Sequence, residues 1–167
     1  MSDDDELALV EGQGPARRVE VKRIVNASID TVWNAITNSA EVGEWWQRAD
    51  IGKKDGGNIK VYIGDAAMVD GTIKVFQPTY IFEFTWNDKD ENAGLVRFDL
   101  VELSSATTQV TLVQYVPVSE VIPATAGWHS IIECLVAFLS SGIPAPFERD
   151  GSRFSHLIET YKQAGTK

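Results

Sequence analysis

What this chain has little of removes several classes of function. One cysteine in 167 residues precludes an internal disulfide and fits a reducing compartment. With only two histidines, a histidine-built metal centre lacks its ligands. Basic residues number 15 against 24 acidic ones, a formal charge of −9, which opposes binding to nucleic-acid phosphates. No uninterrupted apolar run approaches the roughly 20 residues that a membrane helix needs. The amino terminus carries Asp3, Asp4, Asp5 and Glu6, where a secretory signal would place basic residues followed by about 7–15 apolar ones. A cytoplasmic protein with no membrane span and no bound metal or cofactor is expected.

What is present is enough for one ordinary globular domain, since 44% of the residues are hydrophobic and 23% charged. Residues 1–16, with the acidic run and "EGQGPA", bury too little apolar surface to offset their ordering entropy and are expected to form a disordered tail. The regular pattern occupies residues 17–165. In "RRVEVKRIV" Val19, Val21 and Val25 share one face against Arg18, Glu20 and Lys22, a strand pattern. The period then changes, with Ile29, Val32, Trp33 and Ile36 spaced as one face of a helix. Asn38 followed three positions later by Glu41 resembles a capping box opening a second short helix that ends at Trp45-Trp46.

After the turn signal "KKDGGN" come the strand-like runs "IKVYI", "MVDGTIKVF", "YIFEFTW", "LVRFDLVEL" and "TQVTLVQYV". Tyr80, Phe82, Phe84 and Trp86 occupy alternate positions, so one face of that strand is almost wholly aromatic. Val96, Phe98 and Leu100 do the same on the next strand, and Val110, Leu112, Gln114 and Val116 on the last. Short connections favour antiparallel pairing, with one buried and one wet face. The cover for such a sheet is "GWHSIIECLVAFLSSG", where Trp128, Ile131, Ile132, Leu135 and Leu139 cluster in one stripe. Past Pro144 and Pro146, a further helix carries Phe154, Leu157, Ile158 and Tyr161, with Ser152 as its expected cap and Gly165 as its stop. The expected class is α+β: a curved antiparallel sheet of about six strands wrapped around a long carboxy-terminal helix, with two short helices after the first strand.

The segments "NASIDTVWNAITNSAEVGEWW", "DGG" before a strand, "DGTIKVFQPTYIFEFTW" and "GWHSIIECLVAFL" occur in an order that resembles the START-like (SRPBCC) superfamily. Within it they resemble the branch named after the carboxy-terminal domain of the activator of the 90-kDa heat-shock protein ATPase. The likeness spans roughly residues 19–142 and rests on the ordered set of segments. It implies a helix-grip fold with a cavity between sheet and helix, used in various relatives for lipids, sterols, polyketides or other apolar molecules, and it implies no single activity.

His129, Glu133 and Cys134 look like a constellation, but Cys134 falls about 140° from His129 at about 100° per residue, so one helix cannot bring the thiol to the imidazole. His129 and Glu133, four apart, read as a helix-flank pair, with His129 also a candidate cavity-rim residue. The aromatic side chains either interdigitate with the helix or leave a lined pocket. In the pocket reading the lining residues are Trp46, Phe82, Phe84, Trp86, Phe98, Leu112, Gln114, Trp128, Ile132 and Leu135. Gln114 is the informative member, because an inward amide needs hydrogen-bond partners that a ligand or water would supply, unless a bulge turns it outward. Asp88, Asp90 and Glu91 read as a solvated hairpin rather than a calcium loop. No catalytic residue is assigned. The leading expectation is a domain that binds a small hydrophobic molecule without catalysis. The alternatives are a protein-interaction module acting with a chaperone and, third, a cyclase- or hydrolase-type enzyme.

Overall fold

The computed structural model describes residues 7–90, 94–149 and 151–167. An eight-stranded, wholly antiparallel sheet is built from β1 (Leu9–Glu11), β2 (Ala16–Val25), β3 (Ala49–Ile51), β4 (Asn58–Ile63), β5 (Ala66–Gln77), β6 (Ile81–Thr85), β7 (Leu95–Ser104) and β8 (Thr107–Pro117), in the spatial order β1-β2-β8-β7-β6-β5-β4-β3. The strands from β3 to β8 form a meander, and β2 completes the sheet by pairing along β8 from Ala16↔Pro117 to Val25↔Thr108. Between β2 and β3 lie α1 (Ile29–Thr37) and α2 (Ser39–Trp45). The long α3 (Val121–Ser141) and α4 (Ser152–Gln163) close the chain. This is the helix-grip α+β fold, with more strands than the six or so expected.

Local sequence explains the elements. Ser28 caps α1 through a bond from the Thr31 N–H, and Asn38 Oδ1 accepts from the Glu41 N–H to open α2. The free carbonyl of Ala35 at the end of α1 takes a 2.9 Å hydrogen bond from the Trp45 indole, which ties the two short helices together. Alternation sorts the sheet faces: Val96, Phe98, Leu100, Val110, Leu112 and Gln114 are buried. On the outer face, Arg97 donates to Asp99 at 2.8 Å and reaches its cross-strand neighbour Glu83 at 3.4 Å. At Gly71 on β5 a Cβ would collide with the backbone of Thr85, so only glycine admits that approach.

Four further expectations are corrected. Leu9–Glu11 pairs with β2 at Leu9↔Glu20 and Glu11↔Arg18, so the expected disordered tail does not extend over these residues, and its acidic run Asp3–Glu6 lies outside the described residues. The strand is held from behind, where the Ala8 N–H donates to the Tyr161 hydroxyl at 2.8 Å. The cap of α4 is Gly151, one residue before Ser152, and makes no side-chain bond. Finally, α3 begins six residues before Gly127, with Pro123 in its first turn, where a missing N–H costs nothing. With the 3-10 turn before it, Val118–Ser141 is long and apolar enough, by length and composition alone, to cross a membrane, although no such run was expected. Here it is the core helix, buried at Trp128, Ile131, Ile132 and Leu135.

Candidate functional site

Most of the aromatic face is filled. Phe82 and Phe98 lie 6.4 Å apart, Phe82 and Phe84 5.2 Å apart, and Trp33 and Phe76 pack on Phe82 from α1 and β5. Together with Leu112, Ile132, Leu135 and Trp46 these rings form one continuous core. Phe82, Phe84, Phe98, Leu112, Ile132, Leu135 and Trp46, all expected to line a pocket, pack in this core and are not in the lining of the cavity described next. Tyr80, expected in the same aromatic row, is 53% exposed.

Space remains at the other end of α3. A cavity of about 840 Å³ opens among the β4–β5 turn, the ends of β6 and β8, the first half of α3 and residues 143–149. That volume falls within the roughly 300–1,000 Å³ of small-molecule sites. Of the expected lining residues it takes Trp86, Gln114 and Trp128. The remainder of its wall includes Met68, Val116, Ala124, Gly127, Ile131, Phe147 and Phe154. Phe147 and Phe154 lie 5.7 Å apart, edge to face. The loop that carries Phe147 is stitched to α2, since Ala145 and Phe147 donate backbone N–H bonds to Glu44 and Trp45 and the Gln47 amide donates to the Phe147 carbonyl at 2.6 Å. Neither Pro144 nor Pro146 advertises that placement, so this wall was not readable from periodicity.

At the inner end, Gln114 is 4% exposed and its Oε1 accepts a 2.6 Å hydrogen bond from the Trp128 indole. The inward amide is thus part of the wall, joining the last strand to α3. Trp128 in turn meets Trp86 edge to face at 5.9 Å and Trp46 at 5.1 Å. Trp46 backs this wall, and among the described residues its buried indole N–H is the side-chain group left without a partner. The charged lining residues Asp90, Glu120 and Arg149 are all exposed.

The remaining candidates lie elsewhere. His129 is not a rim residue: it is 1% exposed, faces α4, and hydrogen-bonds through Nδ1 to the Tyr161 hydroxyl at 2.7 Å. Its Nε2 is 3.8 Å from Glu133, whose carboxylate is held by Arg153 at 2.9 and 2.7 Å. The histidine pins one helix to another. Cys134 is half-buried against the core, and burial, reinforced by Glu133 and Glu148, pushes its thiol above the usual range. Iodoacetamide at pH 8 is therefore expected to alkylate Cys134 more slowly in the native protein than in the urea-unfolded chain, and equal rates by mass spectrometry would contradict this reading. Asp88 accepts from the hydroxyls of Thr72 and Thr85, both at 2.6 Å, bonds that hold its carboxyl below the ordinary range and occupy it within the hairpin. Its expected neighbour Glu91 lies outside the described residues.

Solved structures share this architecture. A conserved protein of unknown function from Enterococcus faecalis superposes with a TM-score of 0.79 at 18% identity, over 95% of this chain and 90% of that one. DynU16, a putative protein in the dynemicin biosynthetic locus, is 26% identical with a TM-score of 0.70, over 78% of this chain and 49% of its own length. An Hsp90 activator from Plasmodium falciparum is 14% identical with a TM-score of 0.64, over 76% of this chain and 97% of that one. No curated protein sequence matches. Residues 26–140, from the end of β2 almost to the end of α3, match the family described as activator of Hsp90 ATPase homolog 1-like protein, and the chain belongs to that family.

Proposed function

We propose that this domain binds a small, largely apolar molecule in the cavity between the first half of α3, the β4–β5 turn and residues 143–149. The observation that carries this reading is the cavity of about 840 Å³ beside a core in which the other aromatic side chains of the sheet are buried against one another. A fold that buries Phe82, Phe84 and Phe98 in its core sets Trp86, Trp128, Phe147 and Phe154 around open space. Covering such rings with a ligand returns about 25 cal/mol for each Å² of apolar surface removed from water. No catalytic step is assigned, because the carboxylates of the wall are exposed and the buried histidine faces α4.

Gly127 provides the test. It lines the cavity, and a Cβ there would meet only Phe154 Cε1, at 3.9 Å, so a larger side chain has room to grow into the site. The native protein is expected to give thermal shifts with members of a lipid, sterol and aromatic panel. Gly127→Leu, still folded by circular dichroism, should lose affinity for the same compounds by about tenfold or more, the equivalent of roughly 1.4 kcal/mol. Absence of any shift, together with no retained small molecule in native mass spectrometry, would count against the reading. The family description supports a second reading, an accessory of the Hsp90 chaperone. Stimulation of Hsp90 ATPase activity that persists in Gly127→Leu would favour it.

A further inference from the structure

We infer that the molecule bound in this cavity is a neutral aromatic compound bearing a carbonyl-type acceptor, which receives a hydrogen bond from the Gln114 side-chain amide. The inference rests on the ligand-binding reading above and adds the chemistry of the ligand. Its basis is the orientation of one buried amide. An indole N–H only donates, so the Gln114 atom 2.6 Å from Trp128 Nε1 has to be the amide oxygen. That fixes the amide, and its NH₂ group is the end left over. Among the described residues nothing accepts a hydrogen bond from this nitrogen, although Gln114 is 4% exposed and lines the cavity. The fully buried side-chain group without a partner among the described residues is the Trp46 indole N–H, so the Gln114 nitrogen is reached from the cavity, and its hydrogen-bond partner comes from that side, as water or as an acceptor on a bound molecule.

The surroundings narrow the acceptor. The charged lining residues Asp90, Glu120 and Arg149 are all solvent-exposed. A carboxylate placed against Gln114 would therefore be desolvated with no buried counter-charge, whereas a ketone or quinone oxygen carries no such penalty. The flanking walls are the rings of Trp86 and Trp128, 5.9 Å apart and nearly perpendicular, which favour flat aromatic edges and faces over a flexible chain.

Fluorenone and fluorene separate the alternatives, being nearly the same size and differing by one carbonyl. In fluorescence titrations of the full chain, fluorenone is expected to bind about five- to tenfold more tightly than fluorene. Its carbonyl stretch should move to lower frequency on binding. Gln114→Glu keeps an oxygen for the Trp128 indole and replaces the NH₂ by an acceptor. At a pH where that carboxyl is ionised, the preference for fluorenone over fluorene should vanish or reverse, whatever change in affinity the two probes share. Equal binding of the two probes to the native protein with an unshifted carbonyl band would overturn this inference and leave the binding reading standing. Failure of both probes to bind would overturn the inference and count against the binding reading as well. The native comparison and the carbonyl band decide the matter even if Gln114→Glu does not fold.

Discussion

Replacement of Phe82 by alanine is expected to lower stability by about 3–5 kcal/mol, a large share of the roughly 5–15 kcal/mol that holds a typical domain together. The ring is 1% exposed and is surrounded by Trp33, Phe76, Phe84 and Phe98 at centroid distances of 5.2–6.4 Å. With neighbours on every side from three strands and α1, the hole cannot collapse, so both the transfer and the cavity terms apply. For a domain of this size the loss corresponds to a fall in Tm of roughly 6–20 °C. Trp86→Ala, at a half-buried ring that already borders open space, should cost less. The pair is diagnostic: a cost for Phe82→Ala no larger than that for Trp86→Ala in urea unfolding would mean that the pocket extends beneath Phe82 and that the core is not filled there.

The second large effect concerns Tyr161→Phe, which removes one oxygen from a buried junction of three chain segments. The hydroxyl accepts the Ala8 N–H at 2.8 Å and is bonded to His129 Nδ1 at 2.7 Å, thereby linking the β1 segment, α3 and α4. The phenylalanine variant fills the same space but leaves a buried imidazole nitrogen and a backbone N–H without this partner. A cost of about 1–3 kcal/mol is expected, with faster amide exchange at Ala8 and across residues 9–11 than across β8. A variant with native stability and unchanged exchange would show that the edge strand is held by its pairing to β2 alone.

Much of this architecture was legible because it rests on periodicities. The alternation of Phe82 and Phe84, of Val96 and Phe98, and of Val110 and Leu112 placed the buried face correctly, and the Trp128–Leu135 stripe identified the covering helix. Periodicity tells which way a side chain points but not whether the space before it is occupied. That is why Phe82, Phe84, Phe98 and Leu112 were read as possible pocket residues when they are core. The cavity depends instead on features with no repeating signal: the start of α3 at Val121, and the loop that brings Phe147 across from α2 by backbone hydrogen bonds. His129 was readable only against its own helix, through Glu133, because its partner Tyr161 comes from another helix 32 positions later. The strand Leu9–Glu11 was hidden by composition, since three residues paired on one edge need little burial of their own. Gln114 was the exception, where an unusual residue on an inward face lies in the wall of the cavity.

The pairing of β2 with β8 also bears on how the protein is made. Thr108 bonds to the carbonyl of Ala27 across 81 positions of chain, so the edge of β2 that pairs with β8 has no lasting partner until β8 has been synthesised, its other edge being covered only by the three residues of β1. At about 5–20 residues per second that interval is roughly 4–16 s, during which a ten-residue strand with Val19, Val21 and Val25 on one side is available to any neighbouring nascent chain. Arg18, Glu20 and Lys22, set on the other side of the same strand, are the kind of alternating charge that discourages edge-to-edge association, and they guard the segment before the sheet exists.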